Sequence, residues 1–366
     1  MPQPYFIRTS DNQGGSIMSE NMRSIVVYGA KDVKIENFPV PECDDDKILV
    51  QVERCGVCTY EQRLFNGTHK AGVPVVPGHE VAGKIVAIGK EINTDEWSVG
   101  DTVVVGVTLP CRDCYPCKLG ETQNCEHFDA LKKVLPGQHH VGTGGFSSYM
   151  MSSPECVFKY HTVSPEEACM TEPLSCVIHS VETADPQFGQ YCFIIGAGFM
   201  GLLHTLLCVR KGTRVIVSDM NEERLELAKK MGAQFTINPA KENTAEKLRE
   251  YTNGHMASVV FDTTPIAAVA EEAFHYLGTN GKLMIYSGIY PNKPITVDPH
   301  LIHKKGLQIL GTANSNDRDF TRASEMISNG ILDMKPFISG VYEADDIIAC
   351  LESSCTGLTF RNIVKF

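Results

Sequence analysis

The stretch YCFIIGAGFMG, Tyr191 to Gly201, runs from five residues suited to a buried strand into three spaced glycines, and the helical pattern LLHTLLCVRKG follows it. A lone G-x-G-x-x-G says little, but at a strand-to-helix turn it marks a dinucleotide-binding turn. Gly196 permits the tight turn, Gly198 lets a pyrophosphate approach the backbone, and Gly201 lets helix pack close on strand. Phe199 and Met200 open the helix, where free N–H groups and the positive end of the dipole await the phosphates.

Working outward, the apolar runs RVIVSD, QFTIN, SVVFDTT, KLMIYSG and LQILGT alternate with helical patterns such as EERLELAKKMG and AVAEEAFHYLG. Strands joined by helical crossovers predict an α/β unit with a mostly parallel, doubly wound sheet of the Rossmann type. Asp219 closes the second strand, where a carboxylate accepts the ribose hydroxyls of NAD and repels the 2′-phosphate of NADP. NAD is therefore expected over NADP. Arg224 lies close by and either serves a phosphate, covers the adenine, or is an ordinary solvated helix residue.

From Ser24 to about Tyr160 the rhythm differs: SIVVYG, KILVQVE, VAGKIVAIG and DTVVVGV are short β-rich runs broken by Gly, Pro and Asp. They predict a barrel-like all-β unit with long loops. After Ala313 a helical segment, RDFTRASEMISNG, precedes a short tail ending TFRNIVKF, which is too small for a third domain and is expected to pack back on the β unit. Residues 1–22 are polar and rich in Ser, Asn and Gly, and are expected to be a disordered leader.

Length and charge narrow the functions available. A chain of 366 residues with 43% hydrophobic content divides into about two domains. Lys plus Arg number 33 against 44 for Asp plus Glu, a net charge of -11, so no basic field attracts nucleic acid or anionic lipid. No run approaches the roughly 20 apolar residues of a membrane span, and the N-terminus lacks a secretory pattern. A cytoplasmic protein is expected. Fourteen cysteines then argue for metal ligands and buried thiols rather than disulfides.

Cys111, Cys114, Cys117 and Cys125 are separated by two, two and seven residues. Four thiolates so spaced in one loop suit a closed tetrahedral zinc site, which is structural as a rule. An iron-sulfur cluster shares the ligand type, but zinc is the expectation. A second pair, Cys55 and Cys58 in ERCGVCTY, is ambiguous on spacing alone, fitting a redox pair or half a metal site.

The ordered set GVCTYE, GHEVAG, the four-cysteine loop, GGFSSYM, TEPLSCVIHS and GAGFMG resembles the zinc-dependent medium-chain dehydrogenase/reductase family of the alcohol dehydrogenase superfamily, in its polyol (sorbitol-like) and threonine dehydrogenase branch. The likeness covers essentially Arg23 to Phe366. It implies a GroES-like catalytic domain built from residues 23–171 and 314–366, a Rossmann domain over residues 172–313, and one catalytic and one structural zinc ion. The implied reaction is NAD-linked oxidation of a secondary alcohol of a polyol or sugar alcohol to the ketone, or its reverse, by hydride transfer from a zinc-activated alcohol. A homodimer or homotetramer is also implied.

The resemblance places Cys58 on the catalytic thiolate, His79 on the imidazole ligand, Glu80 on a carboxylate that ligates in some members or states, and Glu172 on a third position that is Cys in many alcohol dehydrogenases. It leaves Cys55 without a role. Tyr60 stands where a Ser or Thr relay usually stands, Glu61 replaces the usual Asp, and Arg63 occupies a position where a His is common. The same fold on a threonine-type amino alcohol or an aldehyde is a rival reading. A nicotinamide-binding protein without catalysis is another, opposed by the presence of Cys58, His79 and Glu172 together.

Overall fold

The computed structural model describes residues 21–69, 72–106, 110–128 and 133–366. The leader expected over residues 1–20 lies outside them. Asn21 and Met22, also assigned to that leader, instead open strand β1 (Asn21–Gly29), and Met22 is fully buried. Its side chain packs with Leu49, Tyr149 and Met151, so apolar contact across the chain overrides the polar local composition.

β1 forms an antiparallel hairpin with β2 (Asp32–Pro39). There follow β3 (Ile48–Val57), α1 (Thr59–Phe65), β4 (Glu80–Ile88), β5 (Thr102–Val105), α2 (Tyr115–Lys118), β6 (Tyr149–Ser152), β7 (Val157–Lys159), α3 (Pro165–Ala168) and α4 (Thr171–Ala184). The nucleotide-type half contains β8 (Tyr191–Ile195), α5 (Phe199–Arg210), β9 (Arg214–Ser218), α6 (Glu222–Lys230), β10 (Phe235–Ile237), α7 (Thr244–Tyr251), β11 (Ala257–Asp262), α8 (Ala267–Ala273), β12 (Leu277–Ile285), α9 (Pro299–Lys305) and β13 (Gln308–Gly311). α10 (Asp317–Ser328), β14 (Ile338–Glu343), α11 (Ile347–Ser354) and β15 (Arg361–Lys365) complete the chain.

Among the described residues, β8 to β13 form a six-stranded sheet in the order β10-β9-β8-β11-β12-β13, and every pairing is parallel. This is the doubly wound Rossmann order, with its switch point between β8 and β11. The central strands β8, β9 and β11 read as largely apolar, buried runs because helices cover both faces. One expectation fails locally: the helical pattern AVAEEAFHYLG ends as α8 at Ala273, a 3-10 turn covers Phe274–Tyr276, and Leu277 already begins β12. Leu277 is fully buried and pairs with Ala257, so sheet register wins over the helical period.

The second sheet runs β14-β15-β3-β4-β5-β7, with β6 also paired to β3, and so draws on both ends of the chain. β15 lies antiparallel to β3, and this pairing sets Arg361 and Asn362 beside the end of β3 where Val57 precedes Cys58. α10 packs chiefly on α4, with Phe320 stacked on Phe158 of β7 at 4.8 Å. Between the sheets opens a cleft of about 620 Å³, bounded by α1 on one side and the glycine turn on the other. No helix among the described residues is long and apolar enough to cross a membrane.

Candidate active site

Side chains alternate along β3, so Cys55 and Val57 both point into the core, where Cys55 packs with Val57 and Val81 and is fully buried. Cys58 leaves the strand and becomes the N-cap of α1, its sulfur accepting from the Tyr60 N–H at 3.1 Å. It lines the cleft. The two cysteines of one short motif thus lie in different environments.

Glu61 is the residue that fixes this corner. Its carboxylate accepts from the Cys58 N–H at 3.0 Å and the Gly78 N–H at 3.1 Å, and it lies 3.2 Å from His79 Nδ1. Burial would raise its pKa, but the adjacent imidazole and these donors outweigh burial and hold it down at about 2. With Nδ1 engaged, His79 turns Nε2 to the Cys58 sulfur at 3.3 Å. Two ligands of one tetrahedral zinc stand roughly 3.5 Å apart, given bonds of about 2.3 Å to sulfur and 2.0 Å to nitrogen, so the pair fits the ion. The C-x-x-E spacing of a capping box was the sequence signal for Glu61.

His79, Glu80 and Glu172 also bring one ligand atom each within 4.8 Å of one another. Glu80, the first residue of β4, is buried; one oxygen pairs with Arg361 Nη2 at 2.9 Å and the other, Oε2, has no partner among the described residues. Burial raises its pKa to about 7, with Arg361 opposing the shift and Glu172 adding to it. A Cβ on Gly56 would stand 2.0 Å from that free oxygen, which is why glycine precedes Val57. Glu172, in the first turn of α4, accepts from the Cys176 thiol at 3.4 Å. His79 thus belongs to two groups, one with the Cys58 thiol and Glu61 and one with Glu80 and Glu172, and the orphaned buried carboxylate oxygen in the second is a donor fitted to a cation.

Arg361 escaped the sequence reading because only the β15–β3 pairing brings it here. It donates to the Val57 carbonyl at 2.9 Å and lies 4.4 Å over the Phe199 ring, linking the acidic corner to the start of α5. Tyr60 is not among the residues that line the cleft. Its ring packs against Val27, Leu64 and Val75, and its hydroxyl is buried without a partner among the described residues.

At the other end of the cleft, Gly196 has φ +96°, and a Cβ on Gly201 would stand 1.9 Å from the Gly196 carbonyl. Gly198 caps α5, and Phe199, Met200 and Gly201 line the cleft with it. Asp219 lies beside this turn, one oxygen accepting from the Ala197 N–H at 2.7 Å and the other from the Asn221 N–H at 2.8 Å. Each oxygen keeps a lone pair for a further donor. Arg224 lines the cleft, donates to the Gly357 carbonyl and stands 5.7 Å from the Phe360 ring.

Away from the cleft, the sulfurs of Cys111, Cys114, Cys117 and Cys125 lie within 4.8 Å of one another, which leaves room for one ion rather than a multi-atom cluster. The N–H groups of Asp113 and Cys114, with His127, push the Cys111 thiol down to about 5, ready to ligate as thiolate.

Comparison with known proteins agrees with this architecture. Residues 44–162 match the alcohol dehydrogenase GroES-like domain, and residues 200–329 match the zinc-binding dehydrogenase model. The erythritol/L-threitol dehydrogenase of Mycolicibacterium smegmatis is 31% identical over 333 residues, 86% of this chain and 89% of that one. The sorbitol dehydrogenase of Bacillus subtilis is 29% identical over 349 residues, 94% of this chain and 95% of that one. A zinc-binding dehydrogenase from Sinorhizobium meliloti, solved bound to NADP, superposes with a TM-score of 0.86 at 23% identity, over 95% of this chain and all of that one. The chain belongs to the zinc-type medium-chain dehydrogenases of the alcohol dehydrogenase superfamily. It is an oxidoreductase of the alcohol-oxidising class that uses zinc and a nicotinamide cofactor.

Proposed function

We propose that the protein oxidises a secondary alcohol of a polyol or sugar alcohol to the ketone, or runs the reverse, with zinc held by Cys58, His79 and Glu172 and with Glu80 as a further ligand. The observation that carries this reading is the pairing of Cys58 and His79 at 3.3 Å in the same cleft as the glycine turn. The polyol substrate is supported by the erythritol/L-threitol and sorbitol dehydrogenases among the relatives. When bound, zinc supplies Lewis acidity at a substrate hydroxyl and the nicotinamide accepts or returns hydride.

The chain's own groups prepare that chemistry. Glu61 fixes the imidazole so that Nε2 points to the thiol, the orienting role that a carboxylate behind a ligating histidine plays. Arg361 holds one oxygen of Glu80 and leaves the other free to face a cation. In this reading Tyr60 is a packing residue rather than a relay, and Cys55 is a core residue. The domains are proposed as residues 23–171 with 314–366, and 172–313, the first extended back to Asn21 by β1. Screening zinc-loaded protein with NAD against alcohols, amino alcohols and aldehydes, following absorbance of the reduced cofactor, tests the substrate. Turnover of threonine but no polyol would overturn it.

NAD is proposed as the cofactor because the Asp219 carboxylate stands beside the glycine turn. Asp219→Gly with Met220→Arg, at a side chain that is 72% exposed, should shift the ratio of kcat/KM for NADP over NAD upward by roughly a hundredfold. An unmodified protein already preferring NADP would refute the assignment. A homodimer or homotetramer is supported by β13, which ends the six-stranded sheet and exposes Ile309 at an open edge. A reducing, cytoplasmic setting is supported by fourteen cysteines that are all free.

A further inference from the structure

Three members of the metal corner have a charged or backbone partner that aims them: the Tyr60 N–H on the Cys58 sulfur, Glu61 on His79, and Arg361 on Glu80. The fourth, Glu172, has neither. Among the described residues its carboxylate meets no cation and no backbone N–H, and the hydrogen bond it makes is with the Cys176 thiol, which donates to Oε1 at 3.4 Å. The two residues lie at i and i+4 of α4, so their side chains share one face, and both line the cleft.

The Glu172 carboxylate has somewhere else to go. It also lines a second cavity of about 30 Å³, room enough for a water, whose wall includes Asn314, Ser315, Asn316 and Asp317. Glu80, in the same group of potential metal ligands, repels it as a like charge. Rotation into the smaller polar cavity would take the carboxylate out of the corner. The helix backbone is fixed independently: the Ser175 hydroxyl donates to the Glu172 carbonyl at 2.6 Å and lies 2.6 Å from the Ser315 hydroxyl. What the thiol decides is therefore the orientation of the side chain alone.

We propose that Cys176 is a positioning residue of the catalytic centre, its thiol holding Glu172 Oε1 so that the carboxylate faces the metal corner instead of the smaller cavity. The proposal rests on the reading of Cys58, His79 and Glu172 as zinc ligands. A weak donor suits the task. An S–H bond selects one rotamer yet leaves most of the negative charge on the oxygens for a cation, whereas a Lys or Arg at that place would compete with the ion for it.

Competition between a chelator and the two zinc ions of the purified protein tests the role. Cys176→Val keeps roughly the volume and removes the donor; it should weaken the catalytic zinc roughly ten- to hundredfold, the worth of a group that orients a metal ligand, and leave the zinc of the four-cysteine loop unchanged. Cys176→Ser supplies a hydroxyl donor and should bring the affinity back to within about threefold of wild type. The visible spectrum of protein carrying cobalt in the catalytic position should change in Cys176→Val and match wild type in Cys176→Ser. Wild-type affinity and an unchanged cobalt spectrum in Cys176→Val, with the variant folded by thermal melting, would overturn the proposal. So would a weaker thiolate-to-cobalt charge-transfer band in Cys176→Ser, which would make Cys176 a ligand rather than an orienting group. Wild-type protein that holds zinc in the four-cysteine loop alone would instead overturn the reading of the metal corner, and this proposal with it.

Discussion

Cys58→Ala should abolish turnover, with a loss of at least about a thousandfold, and should remove one zinc equivalent, whereas Cys55→Ala should keep both zinc equivalents and most of the activity. Altering a group that merely orients a metal ligand costs about 10–100-fold in affinity or activity, and deleting the thiolate itself removes a charged ligand as well as geometry. Cys55 offers the reverse case. Its side chain is fully buried on β3, and among the described residues its thiol makes one long hydrogen-bond contact, 3.7 Å to the Gly56 carbonyl. Trimming it to Ala leaves a small cavity worth about 1 kcal/mol. Melting should drop slightly, and metal content should not. Equal zinc loss in the two variants, or a disulfide between the two cysteines in active enzyme, would defeat the assignment of Cys58.

The pair shows where a sequence stops being readable. C-x-x-C carries no direction, and only Gly56 and Val57 separate the two cysteines. What separates them is the end of β3, after which Cys58 turns out as an N-cap while Cys55 keeps its inward strand position. The glycine turn was readable because its function depends on neighbouring residues: strand, tight turn and helix start are consecutive. Glu61 was half readable, since its capping-box spacing is local but its contact with His79 spans α1 and β4. Arg361 was not readable at all, lying some three hundred positions from Val57, and only antiparallel pairing of β15 with β3 makes them neighbours. Met22 was misjudged for a related reason. Its local company is polar, and the residues that bury it, Leu49, Tyr149 and Met151, are remote in the chain.

The same distinction governs the four-cysteine loop, whose ligands are local and whose purpose is not. Cys114→Ser should cost about one zinc equivalent and on the order of 4 kcal/mol of stability, because metal binding to such a site is itself folding free energy. The loop has few other means of holding its shape: α2 is four residues long, and Arg112 adopts φ +60°, a left-handed conformation that disfavours a side chain. It is tied to the body by Arg112 with Asp317 at 2.5 Å, and by Gln123 with His179 at 3.4 Å, His179 in turn bonding Asp319 at 2.8 Å. Asp317 and Asp319 lie in the first turn of α10, and His179 lies on α4, the helix that carries Glu172. Loss of the ion should therefore loosen the loop first, with apparent melting lower by roughly 5–10 °C. Among the described residues, the hydrogen-bond and ion-pair partners of Cys58, His79 and Glu61 lie outside this loop, so kcat per remaining catalytic zinc should change less than about threefold in protein that stays folded. Unchanged melting with two zinc ions retained would show that the four thiols do not hold a metal. A fall in kcat matching that of Cys58→Ala would show instead that the loop supports the catalytic corner directly, through α4.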